Sequence, residues 1–397
     1  MRGQSRPGSR TARFCGAALA GTVLAGTVLA ATATLAGTAA ASAATTGRQQ
    51  FVPGAARAVF VQTDNLAGNQ VVSYHRAADG TLSLAGTYAT GGLGGQLSGS
   101  VVDHLASQGS LGYDRATGLL FAVNAGSDTV SVLAASGDRL ALRQVIGSGG
   151  VFPVSVAVRG GLVYVLNALG GGTLQGFRVA FGRLVPIPGS ARSLGLNPAA
   201  SPQFTNTPGQ VAFSPPGTQL IVTTKANGND IDVFGVGPDG RLSPSPVVNA
   251  EPGTVPFAIA FDPAGHLVIA DAGTNALSTF ALSPAGTLTA LDSVGTGQTA
   301  TCWVASDGDL EFASNAGSAT VSGYLDHAGG QLTLAGQTPT DPGTVDAAVT
   351  PSGRFVYVQT GGNGVVDEFA VGSGGSLNEI GHVTVAGAAG GEGIVAP

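Results

Sequence analysis

The chain has 397 residues, 43% of them hydrophobic and only 10% charged, so it can bury a sizeable core and is poor in the charges that solvate disordered segments. Setting aside the first 43 residues leaves 13 basic against 23 acidic side chains, a formal charge of −10 that argues against nucleic-acid binding. Cys302 is then the only cysteine, which excludes an internal disulfide.

In chain order, residues 1–47 contain no acid. Arg2, Arg6, Arg10 and Arg13 precede a long run of small and apolar residues from Phe14 to Ala41-Ser42-Ala43. This is the pattern of a secretory signal peptide cleaved after Ala43, so the protein is expected to be secreted or held at the cell envelope, with no membrane contact beyond that segment. Residues 44–56 read as an unstructured leader.

From there one phrase recurs. Leu119 to Leu142 (LLFAVNAGSDTVSVLAASGDRLAL) reads as an apolar strand, a turn, an alternating strand, a Gly-bearing turn and a third strand. Its apolar strand returns as AVFVQT (58–63), LVYVLN (162–167), QLIVTT (219–224), HLVIAD (266–271), LEFASN (310–315) and FVYVQT (355–360), seven copies in all. A turn into a later strand keeps step, ending at Leu82, Leu140, Leu184, Leu242, Leu288, Leu332 and Leu377. Each apolar strand after the first is preceded by another, such as PVSVAV (153–158) or PFAIAF (256–261), which makes four short strands per repeat. Repeats of this length, rich in Gly turns and without helical periodicity, predict an all-β fold, a seven-bladed β-propeller of four-stranded antiparallel blades forming one domain over 57–397. The first repeat lacks an opening strand, whereas the chain ends on GGEGIVAP (390–397), which resembles one. The C-terminal strand is therefore expected to close the first blade.

VNAGSDTVSV and VYVLNALGG, with SQGSL (107–111), FPVSVAV (152–158), VFGVGPDGRL (233–242) and CWVASDG (302–308), resemble the lactonase-type seven-bladed propellers related to 6-phosphogluconolactonase and 3-carboxymuconate cyclase, and also the YVTN surface repeats. The resemblance covers about residues 57–397. It implies opening or closing of a lactone ring at the top of the propeller, or, for the YVTN relatives, a non-catalytic secreted binding or surface scaffold. The His-bearing segment associated with catalysis in the family has no counterpart here: TPGQVAF (207–213) and SQGSLGY (107–113) present Gln and Ser instead.

Strand order puts the second-to-third-strand turns and the blade-to-blade connections on one face, the top. Two connections are long, Ala85–Ser107 and Gly189–Pro208, and long loops on a scaffold face usually carry function. The central opening between them is the expected pocket for a small-molecule ligand. Lactone hydrolysis needs a base for water and a donor for the oxyanion, so His104 is the candidate base, Arg192 or Lys225 the stabiliser, and Asp346 or Glu392 the group orienting the base. His104 can equally be a solvated loop residue beside Asp103, and the two cations ordinary solubilising charges. Aligning the repeats places Ser110, Ser155, Gln210, Thr301 and Asp346 at equivalent inner-strand starts, as ligand-binding donors and acceptors or as caps for strand ends. Asp64, Asp103, Asp128, Asp230, Glu251, Asp271, Asp341, Asp346 and Glu392 make the top acidic, which favours a neutral or cationic ligand. No metal or other cofactor is expected, because no stretch has calcium-loop spacing and the Gly clusters at 91–95 and 170–172 precede no helix. No Gly-x-Ser-x-Gly elbow stands between a strand and a helix. The chain is expected to be a monomer.

Overall fold

The computed structural model describes residues 57–397; the expected signal segment and leader lie outside the described residues. Seven antiparallel sheets follow one another, each ordered inner to outer. Blade 1 is built from Ile394–Val395, Ala58–Gln62, Gln70–Arg76 and Leu82–Ala89, so the last strand of the chain is the innermost strand of the first blade. The inner strands of blades 2 to 7 are Leu111–Asp114, Pro153–Arg159, Val211–Phe213, Pro256–Phe261, Thr301–Asp307 and Thr344–Val349. Blade 3 gains a fifth strand, Arg192–Ser193, which lies beside the start of its third strand.

The recurring apolar strand is the second in every blade and is fully buried in blades 1, 2, 4, 5 and 7. Such a run has no polar face because both its faces pack against neighbouring blades. The apolar clusters accordingly lie between blades: Phe60 with Leu120 between blades 1 and 2, Ile221 with Ile269 between 4 and 5, Phe312 with Val358 between 6 and 7. Where the third residue of that strand is Tyr, its hydroxyl reaches the next blade. Tyr164 donates to the Gly240 carbonyl at 2.7 Å and Tyr357 to that of Gly80 at 2.6 Å. A buried phenol is tolerated because its O–H finds an acceptor there. The fourth strands are largely exposed, each with one buried leucine near its start, Leu140, Leu332 or Leu377, as expected for an outer edge facing water.

Candidate functional site

The strand pairing fixes which residues share a level of the ring. Leu111, Val156, Val211, Ile259, Val304, Ala347 and Ile394 each face the fourth residue of the recurring second strand. The residues just before them are Ser110, Ser155, Gln210, Ala258, Trp303, Asp346 and Gly393. Thr301 is therefore not equivalent to Ser110, as its spacing suggests. The turn into the second strand is shorter in blade 6, where Asp307 pairs with Leu310, than in blade 2, where Asp114 pairs with Leu119, so the level falls on Trp303, and Thr301 instead donates its hydroxyl to Asn315 Oδ1 at 2.6 Å at the strand end. Three members of the level join one blade to the next: Ser155 Oγ accepts the Val211 N–H at 3.3 Å, Gln210 Oε1 that of Ile259 at 2.5 Å, and Asp346 Oδ2 that of Ile394 at 3.3 Å. Ser110 donates to the Glu392 carbonyl at 2.7 Å. These groups satisfy strand ends across the blade boundaries.

The first long connection does not rim the opening but enters it. Its Asp103 carboxylate accepts the N–H groups of Leu105 and Ser107, both at 2.9 Å, which folds residues 103–107 into a tight loop. His104 N–H bonds the Gly390 carbonyl, Ser107 Oγ the Val154 carbonyl and Gln108 N–H the Gly209 carbonyl, reaching blades 1, 3 and 4. The Gln108 amide pairs with both the N–H and the carbonyl of Val304, at 3.0 and 2.8 Å, and Trp303 Nε1 donates to the Ser107 carbonyl at 2.7 Å. One short loop can touch inner strands of blades 1, 3, 4 and 6 only on the propeller axis. The central opening expected as the pocket is thus filled at this level by Leu105, Ala106, Ser107 and Gln108, all buried. Gln108→Ala would leave the Val304 N–H and carbonyl without partners in a dry interior, and is expected to lower the unfolding free energy by about 2–3 kcal/mol in chemical denaturation.

A pocket of about 220 Å³ opens beside the plugged axis. The first connection supplies Val101, Val102 and Ala106, the second Phe204, and the inner-strand starts of blades 5 and 6 Phe257 and Trp303. Phe257 and Trp303 meet edge to face with centroids 5.1 Å apart. The volume would hold about seven waters at liquid density, the size of a small ring compound. Two charged residues line it, Asp103 and Lys225. Lys225, expected as an exposed turn residue, is 1% exposed. Its Nζ donates to the carbonyls of Ala106 at 2.6 Å and Phe204 at 2.7 Å and to Thr207 Oγ1 at 3.2 Å, and sits 5.1 Å from the centre of the Phe257 ring. It therefore ties both long connections to blade 4. Burial lowers its pKa to about 7, against the opposing field of Asp103. Cys302 also borders the pocket, its thiol held protonated by burial with a pKa pushed up to about 12.

Around the plug lie four buried carboxyls, Asp64, Asp103, Asp346 and Glu392. Desolvation raises Asp64 and Asp346 to about 7 and Asp103 to about 6, and holds Glu392 well above the usual carboxylate range, with the field of Asp346 second. The fields of Asp346 and Glu392 oppose each other's ionisation. Glu392 Oε1 accepts the Ser110 N–H at 3.3 Å, whereas its buried Oε2 has no hydrogen-bond partner. These acids are not a charged rim. With Asp271, also buried and raised to about 7, they are withdrawn from solvent, so the acidic top read from the sequence is weaker than a residue count suggests.

The structure does not bring the proposed catalytic groups together. His104 is half-buried against Gly390, where a Cβ would lie 2.1 Å from its Nε2; desolvation lowers its pKa, and its buried Nδ1 has no partner. Neither Asp346 nor Glu392 hydrogen-bonds its ring, so nothing orients it as a base. Arg192 stands at the edge of blade 3, its guanidinium spread over the carbonyls of Leu242, Ser243, Gly189 and Ala191, where it clamps blade 3 to blade 4. Its position in the long connection suggested the top; pairing with Leu174 carries it outward instead. Among the described residues, no three His, Cys, Asp or Glu side chains are grouped to hold a metal ion.

Residues 98–390 match the family model described as lactonase, seven-bladed beta-propeller. No curated protein matches the sequence. Among solved structures, the chain is similar to a provisionally assigned 6-phosphogluconolactonase from Bacteroides uniformis (20% identity, 84% of this chain and 97% of that one, TM-score 0.68). It is also similar to the periplasmic gluconolactonase of Pseudomonas aeruginosa (18% identity, 85% and 98%, TM-score 0.67). At these identities the likeness speaks for the fold.

Proposed function

Since this chain belongs to the seven-bladed β-propeller lactonase family, we propose that it binds a small, uncharged, largely apolar ring compound of the lactone class in the top pocket, without opening the ring. The observation that carries this reading is the pocket wall. It is aromatic and aliphatic, and the ammonium of Lys225 and the carboxylate of Asp103 are already committed to main-chain groups, leaving no base and oxyanion donor free to converge on a bound carbonyl. Burying an apolar ring there stabilises the complex by about 25 cal/mol for each Å² removed from water, whereas a carboxylate or phosphate would have to be desolvated without a free cation. The arginine-rich, apolar N-terminal segment and the likeness to a periplasmic gluconolactonase of Pseudomonas aeruginosa support action outside the cytoplasm. A non-catalytic exported binder is also what the YVTN-like repeats suggest.

A second reading is favoured by the Asp346–Glu392 pair, since two buried carboxyls that oppose each other's ionisation can act as acid and base. One experiment separates them. Trp303 is the only tryptophan, so its emission reports on the pocket directly. Titration with five- and six-membered lactones bearing short alkyl chains is expected to give a saturable change in emission, while the lactone is recovered intact at the rate of its spontaneous hydrolysis. Ring opening that Glu392→Gln abolishes would replace binding with catalysis; an unchanged emission would remove the pocket from consideration.

A further inference from the structure

Residues 139–229 contain six Arg and Lys225, and none of the 23 acidic residues of the chain. In a protein this acidic, that stretch makes blade 3 and its borders a basic sector. On its bottom side, away from the top pocket, lies a groove of about 570 Å³ between the outer parts of blades 2 and 3, with Leu119, Ala134 and Val179 as apolar walls and Arg143, Phe181 and Arg183 around them. Gln144 locks the two blades side by side here, accepting the Leu184 N–H at 2.7 Å and donating to the Leu184 carbonyl at 3.0 Å. Arg143 and Arg183 each precede a member of that bracket by one residue, so both are carried to the groove at corresponding height. Among the described residues neither guanidinium makes an ion pair or a hydrogen bond. Arg178 and Arg241, by contrast, are both engaged.

The lip of the groove is equally unusual. Phe181 and Gly182 form a hairpin turn with φ of 51° and 73°, a pair of left-handed positions where Asn-Gly is the favoured sequence. A bulky residue there costs about 1–2 kcal/mol of backbone strain. The Phe181 ring is also wholly exposed, at 105%. Two unpartnered guanidiniums and a strained, exposed aromatic around an apolar trough form an amphipathic receptor.

We infer that this groove binds a single-chain amphipathic carboxylate from solution, its alkyl part over Leu119, Ala134, Val179 and the Phe181 ring and its carboxylate between Arg143 and Arg183. Guanidinium forks match carboxylate geometry and, unlike lysine, are weakly enough hydrated to be used beside apolar surface. The site is independent of the top pocket.

Calorimetric titration of the whole protein with octanoate, at about 0.15 M salt, tests it. Saturable binding is expected, weakened about tenfold or more by the pair Arg143→Gln and Arg183→Gln and for octanol in place of octanoate. Phe181→Asn, which keeps the left-handed turn and so leaves the fold intact, is expected to weaken binding severalfold while leaving the Trp303 response to lactones unchanged. Equal affinity in the double Gln variant, equal affinity for octanol, or absence of saturable heat would overturn the assignment. So would binding confined to anionic phosphatidylglycerol vesicles or to an acidic peptide, since either would make the groove a docking surface for something other than a small anion.

Discussion

Removing residues 390–397 is expected to abolish cooperative folding, giving a protein that binds hydrophobic dye and shows no thermal transition. The deleted segment is short but supplies the inner strand of blade 1, where Val395 and Ile394 pair with Phe60 and Val61. It also supplies the Gly393 carbonyl that accepts from Gln62 and the Glu392 carbonyl that accepts from Ser110. Its loss uncovers Val59, Phe60 and Val61, all wholly buried, and strips the partner from Asp346. Exposing several such side chains and opening a strand edge costs on the order of 5 kcal/mol or more, comparable with the whole stability of an ordinary domain. A truncated protein that melts at the wild-type temperature would show that the ring does not depend on this closure.

The second large effect concerns pH. The unfolded chain ionises its carboxyls near 4, whereas Asp64, Asp232, Asp271 and Asp346 in the folded protein are raised to about 7 by burial. Between those values the folded state holds more protons than the unfolded state, so the stability these groups contribute is complete below about pH 4 and is lost as pH rises through 7. Lys225 acts in the opposite sense. Its pKa falls from 10.5 to about 7 on folding, so above 7 the unfolded state holds the extra proton and stability rises with pH. The expected melting temperature falls from pH 5 to a minimum near pH 7 and then recovers. Glu392→Gln keeps the shape of the protonated acid but cannot ionise; it should match wild type at pH 5 and exceed its stability at pH 8 by on the order of 1–3 kcal/mol. A melting temperature that climbs steadily from pH 5 to 7, with Glu392→Gln destabilising at both ends, would mean that the buried acids are solvated after all.

The architecture was legible because it rests on repetition. Seven copies of one apolar strand, a turn in step with each and an unmatched C-terminal strand determine the blade count and the closure with no knowledge of side-chain contacts. The site was less legible, because function sits where the repeats break. Spacing placed Thr301 level with Ser110, but the turn into the second strand is shorter in blade 6 than in blade 2, which moves the level to Trp303, and counting back from the apolar strand takes every turn as equally long. Lys225 and Asp103 read as solvated loop charges because nothing local shows that a distant loop will cover them. Their burial follows from contacts 119 residues apart, Lys225 Nζ on the Ala106 carbonyl. One hint was present: Lys225 is the sole lysine of the chain. Val102 gives another. The first connection packs so closely over blade 7 that a Cβ on Gly361 would lie 1.6 Å from the Val102 carbonyl, a constraint visible in sequence only as one more glycine among many.

The central claim is that the first long connection closes the axis and displaces the ligand site to the apolar pocket beside it. A crystal structure of the protein soaked with a small alkyl lactone tests this most directly. The account predicts ordered ligand against Phe204, Phe257 and Trp303, with the Gln108–Val304 bonds intact. Ligand on the axis beside Asp346 and Glu392, with the loop at residues 103–108 displaced, would contradict it.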